Sequence, residues 1–299
     1  MRTCMHIIAG MRIIVIIIFS CHSYNSFCRQ ETTNNTILDA RIGGPNPLFS
    51  IGHNIQKRHH GLVRSFLFIE RRNQGHSSVI THNGAYYGFT DRFTANIRIP
   101  IVKEQKSPPL QSCGIGNIHL QGEYAFYNHF DGNSLSQATV VGTIRFPTSN
   151  ARTKEIDTIN AWSFLVGITT SNWSDIWHLY SDFGLDITTT HHHYKLGNQF
   201  TYNLGMGRII KSKGLKEGGF LLLELLADIN GLYKRPDVIN GKPNLLLGSM
   251  VTYLGPTFRF SMPSFVFLGG LQYPIAQVYR NPKAIRTHYK LGLGAAWLF

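Results

Sequence analysis

The residues that decide the fold stand at the end of the chain, Arg286 to Phe299, and read R-T-H-Y-K-L-G-L-G-A-A-W-L-F. Taken with the period of two that belongs to a β-strand, they give one apolar face and one face that is small or polar. The apolar face carries Tyr289, Leu291, Leu293, Ala295, Trp297 and Phe299. The opposite face carries His288, Lys290, Gly292, Gly294 and Ala296. The stretch therefore predicts a strand that places one face in an apolar environment.

Aromatic residues stand at both ends of this strand, Tyr289 at one end and Trp297 with Phe299 at the other. Such ends are typical of strands that cross a bilayer, where aromatic rings lie at the two edges of the hydrocarbon layer. The pattern Gly294-x-x-Trp297-x-Phe299 resembles the C-terminal signal by which bacterial outer-membrane barrels are recognised for insertion. We interpret these three residues as that signal, read by the barrel assembly machinery. The competing interpretation is a soluble β-sandwich whose last strand happens to alternate.

The composition allows a large β structure and argues against membrane-spanning helices. Of the 299 residues, 43% are apolar and 15% are charged, while the apolar residues are dispersed along the chain. Beyond the N-terminus, no apolar run approaches the roughly 18 residues that a helical span needs. Dispersed apolar residues are what alternating strands require.

The N-terminus has the pattern of a secretory signal peptide. Residues 1–26 hold two arginines, then the apolar run Ile13 to Phe19, then small or polar residues. We expect this segment to be removed. Cys28 and Cys113 would then remain, and an exported chain can join two such cysteines.

The composition of residues 27–60 predicts a segment without regular strands. They are polar and carry Gly43-Gly44-Pro45 and Pro47, which interrupt regular structure. Two interpretations stay open: an irregular periplasmic lead-in, or a plug folded into a barrel.

From about Leu62 onward, turn residues divide the chain into twelve segments of strand length. They are 61–72, 77–89, 92–103, 115–129, 135–147, 158–171, 174–189, 197–211, 217–232, 246–260, 264–279 and 286–299. An even number places both ends of a closed barrel on one side of a membrane, and the joins alternate approximately between short and long. Residues 61–299 therefore predict an all-β fold, a transmembrane antiparallel up-and-down β-barrel of about 12 strands.

Polar and apolar residues alternate inside these segments, and we expect the polar faces to line the lumen. Arg98, Glu123 and Arg145, on three consecutive strands, predict a charged ladder that is either structural or a constriction orienting a polar or anionic solute. Strands seven and nine predict an acidic wall formed by Asp182, Asp186, Glu224 and Asp228. Lys290 either faces that wall or extends the basic side. These eight residues are our pore-lining candidates.

The formal net charge of +13 would usually favour a nucleic-acid partner. The basic residues, however, fall mostly in or beside the joins between segments. At the rim of a barrel such residues suit anionic lipid head groups, or they attract anions to a pore. We therefore expect the lipid bilayer, lipopolysaccharide and a small-molecule solute as partners, and no nucleic acid.

The sequence offers little support for enzyme or metal chemistry. It holds no Walker loop, dinucleotide fingerprint or zinc motif, and we expect no cofactor. The run His191-His192-His193 has the composition of a metal tract, but consecutive residues in a loop seldom build a fixed coordination shell. His82 and His119 are the histidines that best suggest lipid hydrolysis, yet no serine stands with either in a recognisable motif. We predict no enzyme and no metal site.

Several motifs resemble those of the outer-membrane proteins named for the meta pathway of phenol degradation. Residues 84–93, G-A-Y-Y-G-F-T-D-R-F, with Ile97-Arg98-Ile99-Pro100, are similar to that family's "G-L-T-D-R-L … P-Y" hairpin. Residues 114–124 are similar to its "G-x-G-D-x-x-L-x-x-K-Y", 146–148 to its "L-P-T-G" and 272–274 to its "Q-Y-P". The likeness spans about residues 60–299. It implies a barrel channel that moves hydrophobic or aromatic compounds inward.

These patterns favour a passive channel for small solutes in the outer membrane of a Gram-negative bacterium. The resemblance adds that the solutes are hydrophobic or aromatic. One alternative is a closed barrel that binds partners or lipopolysaccharide through its basic loops. The other, less favoured, is an outer-membrane lipid hydrolase.

Overall fold

A computed structural model describes residues 48–52, 55–73, 75–105, 111–131, 134–150, 160–174, 176–215, 219–262, 264–281 and 284–299. Its strands in chain order are β1 Gly61–Arg72, β2 Ser77–Thr90, β3 Phe93–Gln105, β4 Gln111–Ile115, β5 His119–Phe130, β6 Leu135–Arg145, β7 Ser163–Trp173, β8 Trp177–Thr188, β9 Tyr194–Lys195, β10 Gln199–Leu215, β11 Gly219–Lys234, β12 Asp237–Ile239, β13 Lys242–Asn244, β14 Ser249–Ser261, β15 Phe265–Tyr279 and β16 Thr287–Leu298. Within these ranges, no helix is both long and apolar enough to cross a membrane.

Twelve long strands pair with their neighbours and close into a barrel. Each pairing is antiparallel, and β2 pairs with both β1 and β3. β4 and β5 both pair with β3 and together occupy one position in the ring. At the seam, β1 pairs with β16, so that Leu62 lies opposite Leu298 and Glu70 opposite Lys290. The predicted closed antiparallel barrel of twelve strands is confirmed.

The two ends of the barrel differ in the length of their joins. Gly61 and Phe299 lie together at one end, which we call the turn end, and short joins at 91–92, 131–134, 174–176 and 262–264 stand there. The opposite end, which we call the loop end, carries the longer joins 146–162, 189–198 and 235–248. The predicted alternation of short and long joins agrees with this arrangement.

A small sheet at the loop end was missed by the sequence reading, which treated residues 190–196 and 233–245 as loops. β12 pairs with both β9 and β13 there. Asp237 holds the sheet, because its carboxylate accepts hydrogen bonds from the Tyr194 hydroxyl at 2.5 Å and from the Gly197 N–H at 2.8 Å. Burial, together with the hydrogen bond to Asp237, raises the pKa of Tyr194. This bond joins residues 43 positions apart, and strand periodicity carries no signal for it.

The side chains of the barrel are arranged inside out relative to a soluble protein. Most apolar side chains of β7 and β8 point outward, and Val166 is 55% exposed. The buried positions of β8 include two carboxylates, Asp182 and Asp186, and Asp182 is 0% exposed. In a soluble sandwich the apolar faces of two sheets would meet in a core. The predicted inversion is therefore confirmed, and the outer apolar surface suits contact with lipid.

The seam depends on a glycine. Gly294 on β16 lies directly opposite Phe66 on β1, and a Cβ atom at this glycine would overlap the Phe66 ring. Phe66 belongs to a cluster of buried apolar side chains that also includes Leu62 and Leu268. Because glycine has no side chain, the Phe66 ring packs across the pair formed by β1 and β16.

We expect Gly294→Ala to lower the free energy of unfolding by about 1–3 kcal/mol, because the added methyl group overlaps a packed ring. The matched control is Gly142→Ala on β6, where no atom lies within 4 Å of the added Cβ. Urea titration of the folded barrel in detergent, followed by the gel mobility difference between folded and unfolded forms, gives both values. Equal stability of the two variants would contradict this packing.

Candidate functional site: the barrel lumen

A stretch of chain that precedes β1 runs across the lumen. Leu48 lies against Gly292 of β16, and Ile51 lies against Gly167 of β7. In the ring of twelve strands, β16 and β7 stand on opposite sides. Residues 48–52, which we call the crossing segment, therefore span the interior from wall to wall.

Side chains of the barrel wall hold the crossing segment by hydrogen bonds. The Gln121 side-chain amide donates to the carbonyl oxygen of Ile51 at 3.3 Å. The carboxylate of Asp182 accepts hydrogen bonds from the Ser50 hydroxyl and from the Ile51 N–H. Asp182, a pore-lining candidate, thus contacts the crossing segment directly. These bonds join the segment to two walls of the barrel, β5 and β8.

After the crossing segment, the chain follows the inner wall towards the turn end. The Gln56 N–H donates to the Thr94 hydroxyl at 2.9 Å. The His59 N–H donates to the Gly88 carbonyl at 2.8 Å, and the Gly88 N–H donates to the His60 carbonyl at 3.0 Å. These bonds lead the chain into β1.

Packed side chains fill the lumen at the turn end. The rings of Trp173 and His178 are stacked, with centroids 3.6 Å apart, and the Arg259 guanidinium lies 4.8 Å from the Trp173 centroid. His178 Nδ1 lies 2.7 Å from a carboxylate oxygen of Glu224. All four side chains are buried. Of these four residues, only Glu224 is among the pore-lining candidates. Arg259 lies on the same face of β14 as Ser261, and this polar face is the sequence signal that indicates an inward position for the arginine.

The predicted ladder of Arg98, Glu123 and Arg145 is divided between two groups. Arg98 donates to the Gln121 side chain, whose amide donates in turn to Glu123 at 2.5 Å. Arg145 forms an ion pair with Asp186, and both side chains are less than 10% exposed. Arg98 of β3 and Arg145 of β6 both lie opposite His119 of β5. His119 is four residues before Glu123 in the chain. One end of the ladder therefore joins the predicted acidic wall.

The other pore-lining candidates also lie on inward faces. Asp228 accepts a hydrogen bond from the Thr257 hydroxyl at 2.7 Å. Lys290 lies opposite Glu70 across the seam, and its ammonium group is 4.1 Å from the Tyr253 ring centroid. Lys290 thus faces a carboxylate of β1 at the seam and also lines the lumen, as Asp186 does.

A cavity of about 300 Å³ remains between the crossing segment and the loop end. Every barrel strand except β1 contributes to its lining, so the cavity is the part of the lumen that lies towards the loop end. Its charged lining residues are Arg98, Arg145, Asp186 and Lys290, joined by His82 and His119. Phe49 and Ile51 of the chain before β1 line its apolar part. We call this space the loop-side cavity.

The remaining sequence candidates fall at the rim or outside the described residues. His191–His193 form a turn at the loop end, where His192 and His193 have positive φ. In the described part of the chain, no group of three or more His, Cys, Asp or Glu side chains is placed to hold a metal ion. Cys113 is disulfide-bonded. Cys28 and residues 1–26 lie outside the described residues.

Gly294, Trp297 and Phe299 lie at or near the turn end of the seam. Phe299 exchanges two backbone hydrogen bonds with Gly61, at 2.8 and 3.0 Å. Its ring is 60% exposed and lies 5.5 Å from that of Trp297. The last residue thus completes the strand pairing while its side chain faces outward.

Comparison with known proteins relates this architecture to outer-membrane proteins. No protein-family profile matches the sequence, and a search of curated proteins finds no match. An outer-membrane channel from Pseudomonas putida F1 is similar in structure, with a TM-score of 0.62, 14% identity, and coverage of 86% of this chain and 99% of that chain. The fold is that of a bacterial outer-membrane β-barrel.

Two further barrels are more distant. The β domain of the Bordetella autotransporter BrkA has a TM-score of 0.47 at 10% identity, covering 81% of this chain and 100% of that one. LpxR from Salmonella typhimurium has a TM-score of 0.41 at 8% identity, covering 80% and 100%. The apolar outer surface of the barrel suits contact with lipid.

We expect Asp186→Asn to lower the free energy of unfolding by about 3 kcal/mol, because it removes the carboxylate that pairs with the buried Arg145 guanidinium. Combining it with Arg145→Met removes both charges and should restore most of the loss. Urea titration in detergent, with gel mobility as the signal, compares the two variants. A double variant no more stable than Asp186→Asn alone would show that the ion pair does not set the stability.

Proposed function

We propose that this outer-membrane barrel is a gated channel for passive uptake of small solutes and that the crossing segment is its gate. The observation that carries the proposal is the loop-side cavity, which ends on residues 48–52. Solute entering from the loop end reaches this floor without passing through the barrel wall. Motion of the segment, together with rearrangement of the packed side chains at the turn end, then opens the way through the lumen.

The way in which the crossing segment is held supports such a motion. Its hydrogen bonds to Gln121 and Asp182 are made with side chains of the wall. A typical hydrogen bond contributes about 0.5–1.5 kcal/mol, so a small number can break without opening the sheet. The barrel itself is held by twelve strand pairings and stays intact.

The class of solute rests on the resemblance described above. Motifs at 84–93 and 272–274 are similar to those of the meta-pathway outer-membrane proteins, and that likeness implies hydrophobic or aromatic compounds. Apolar lining by Phe49 and Ile51 is compatible with such cargo. We propose membership of this transporter family on these grounds.

A closed barrel that binds partners at its surface is the second candidate. The packed turn end favours it, because Trp173, His178, Glu224 and Arg259 leave that part of the lumen filled. In this case the basic loop end would bind lipopolysaccharide. The lipid-hydrolase alternative gains no specific observation of this kind.

We also propose that the ends of the chain serve in export and insertion. Residues 1–26 would act as the signal peptide, and Gly294, Trp297 and Phe299 as the signal read by the barrel assembly machinery. The exposed Phe299 ring at the seam supports the second role. Of residues 27–60, for which we expect either a lead-in or a plug, the crossing segment would act as a plug.

The gate is tested by locking it to the wall. A Cβ atom on Gly52 would lie 2.6 Å from Cγ2 and 3.4 Å from Oγ1 of Thr169, so Gly52→Cys and Thr169→Cys together place two thiols within disulfide reach. We expect oxidation to suppress single-channel conductance in planar bilayers, and reduction to restore it. The Thr169→Cys single variant and the original protein, taken through the same oxidation and reduction, are the controls. Conductance unchanged by the crosslink would reject residues 48–52 as the gate.

The charged lining is tested by ion selectivity. Arg98→Ala removes a cation from the cavity wall, so the reversal potential in a salt gradient should shift towards cation selectivity. Arg208→Ala, an exposed position on the outer side of β10, is the matched control and should leave selectivity unchanged. If Arg98→Ala also has no effect, Arg98 does not line the conducting path.

A further inference from the structure

On the basic side of the lumen, the cationic side chains outnumber the carboxylates by one. Glu70 lies opposite Lys290 and pairs with Arg72 at 3.1 Å, and Arg72 also lies 3.9 Å from Glu104. Glu123 and Arg98 both interact electrostatically with Arg64. Together these four cations face three carboxylates: Arg64, Arg72, Arg98 and Lys290 against Glu70, Glu104 and Glu123. Asp186 is paired with Arg145, so the excess of one positive charge remains.

Hydrogen-bond donors in the same cavity lack acceptors. Gln272 Nε2, Asn230 Nδ2 and Arg98 Nε have no hydrogen-bond partner among the residues that the structure describes. Gln272 is 1% exposed and Asn230 is 7% exposed, and all three residues line the loop-side cavity. A buried donor left without an acceptor is destabilising. A ligand that offers only acceptors satisfies these groups.

Apolar side chains line the rest of the cavity. Phe49 and Ile51 lie on one part of it, and Leu165 and Leu232 on another. A volume of about 300 Å³ is at the small end of the range for ligand pockets. The cavity therefore fits one small molecule with an apolar body and an anionic, acceptor-rich group.

We propose that the loop-side cavity is a binding site for a small organic carboxylate. Its carboxylate lies towards Arg98, Gln272 and Lys290, and its apolar body lies against Phe49 and Ile51. A carboxylate accepts several hydrogen bonds and carries a negative charge opposite to the charges of Arg98 and Lys290. The role of this site in uptake rests on the proposed channel function; the binding itself rests on the cavity alone.

Calorimetric titration of the full chain in detergent tests the site with three probes of one shape: benzoate, benzyl alcohol and benzylamine. Heats measured with empty micelles are subtracted. We expect benzoate to bind at least about tenfold more tightly than the neutral and cationic probes, because charge-assisted hydrogen bonds stabilise it. Equal affinity for benzoate and benzyl alcohol would overturn the proposal.

Variants locate the site. Arg98→Gln should reduce benzoate affinity about tenfold and leave benzyl alcohol unaffected, while Arg98→Lys should retain part of the preference. Arg208→Gln, which removes an exposed cation outside the cavity, should leave benzoate affinity unchanged. The gel mobility of the folded form confirms that each variant is folded. Full benzoate affinity in folded Arg98→Gln would contradict the assignment.

Conductance measurements separate this proposal from the channel function. A protein that conducts salt but does not prefer benzoate is a channel without this carboxylate site. A protein that binds benzoate with the Arg98 dependence and never conducts keeps the carboxylate site, and the channel function fails.

Discussion

The hydrogen-bonded seam between β1 and β16 is the constraint on which the rest of the structure depends. Backbone groups in the hydrocarbon layer have no water to bond with, so a membrane-spanning sheet must have no free edge. Here the pairing runs from Arg72 opposite Thr287 to the bonds between Gly61 and Phe299. Once the sheet is closed, the outward face suits apolar side chains, and the inward face provides interior positions for polar ones.

Closure also places charged side chains in the interior of the barrel. Acidic and basic side chains of the described strands point inward, and buried charges are costly unless paired. The barrel pairs Arg145 with Asp186, surrounds Glu224 with His178 and Arg259, and uses Asp182 to hold the chain before β1. The same charges that make the lumen polar thus also seat the segment that closes it.

Much of the barrel was predictable, because strand periodicity and turn residues are local signals. The twelve segments, the inward faces and the short joins all follow from them, and the structure differs mainly in strand ends. Contacts between distant residues carry no such signal. Periodicity offers nothing about Asp237 joining the loop-end sheet or about Arg145 reaching Asp186 over the intervening strand. The path of residues 48–52 was also beyond prediction, since residues 27–60, which contain them and are polar as a whole, suit either a lead-in or a plug.

The inversion of the side chains is the central claim, and spin labels placed one at a time along β7 test it most directly. In liposomes, labels at 164, 166 and 168 should be accessible to oxygen dissolved in the bilayer, and labels at 165, 167 and 169 should be protected from it. An alternation of this kind with a period of two is the predicted result. Uniform accessibility along the strand, or oxygen contact at the odd-numbered positions, would contradict a closed barrel with its apolar face in lipid.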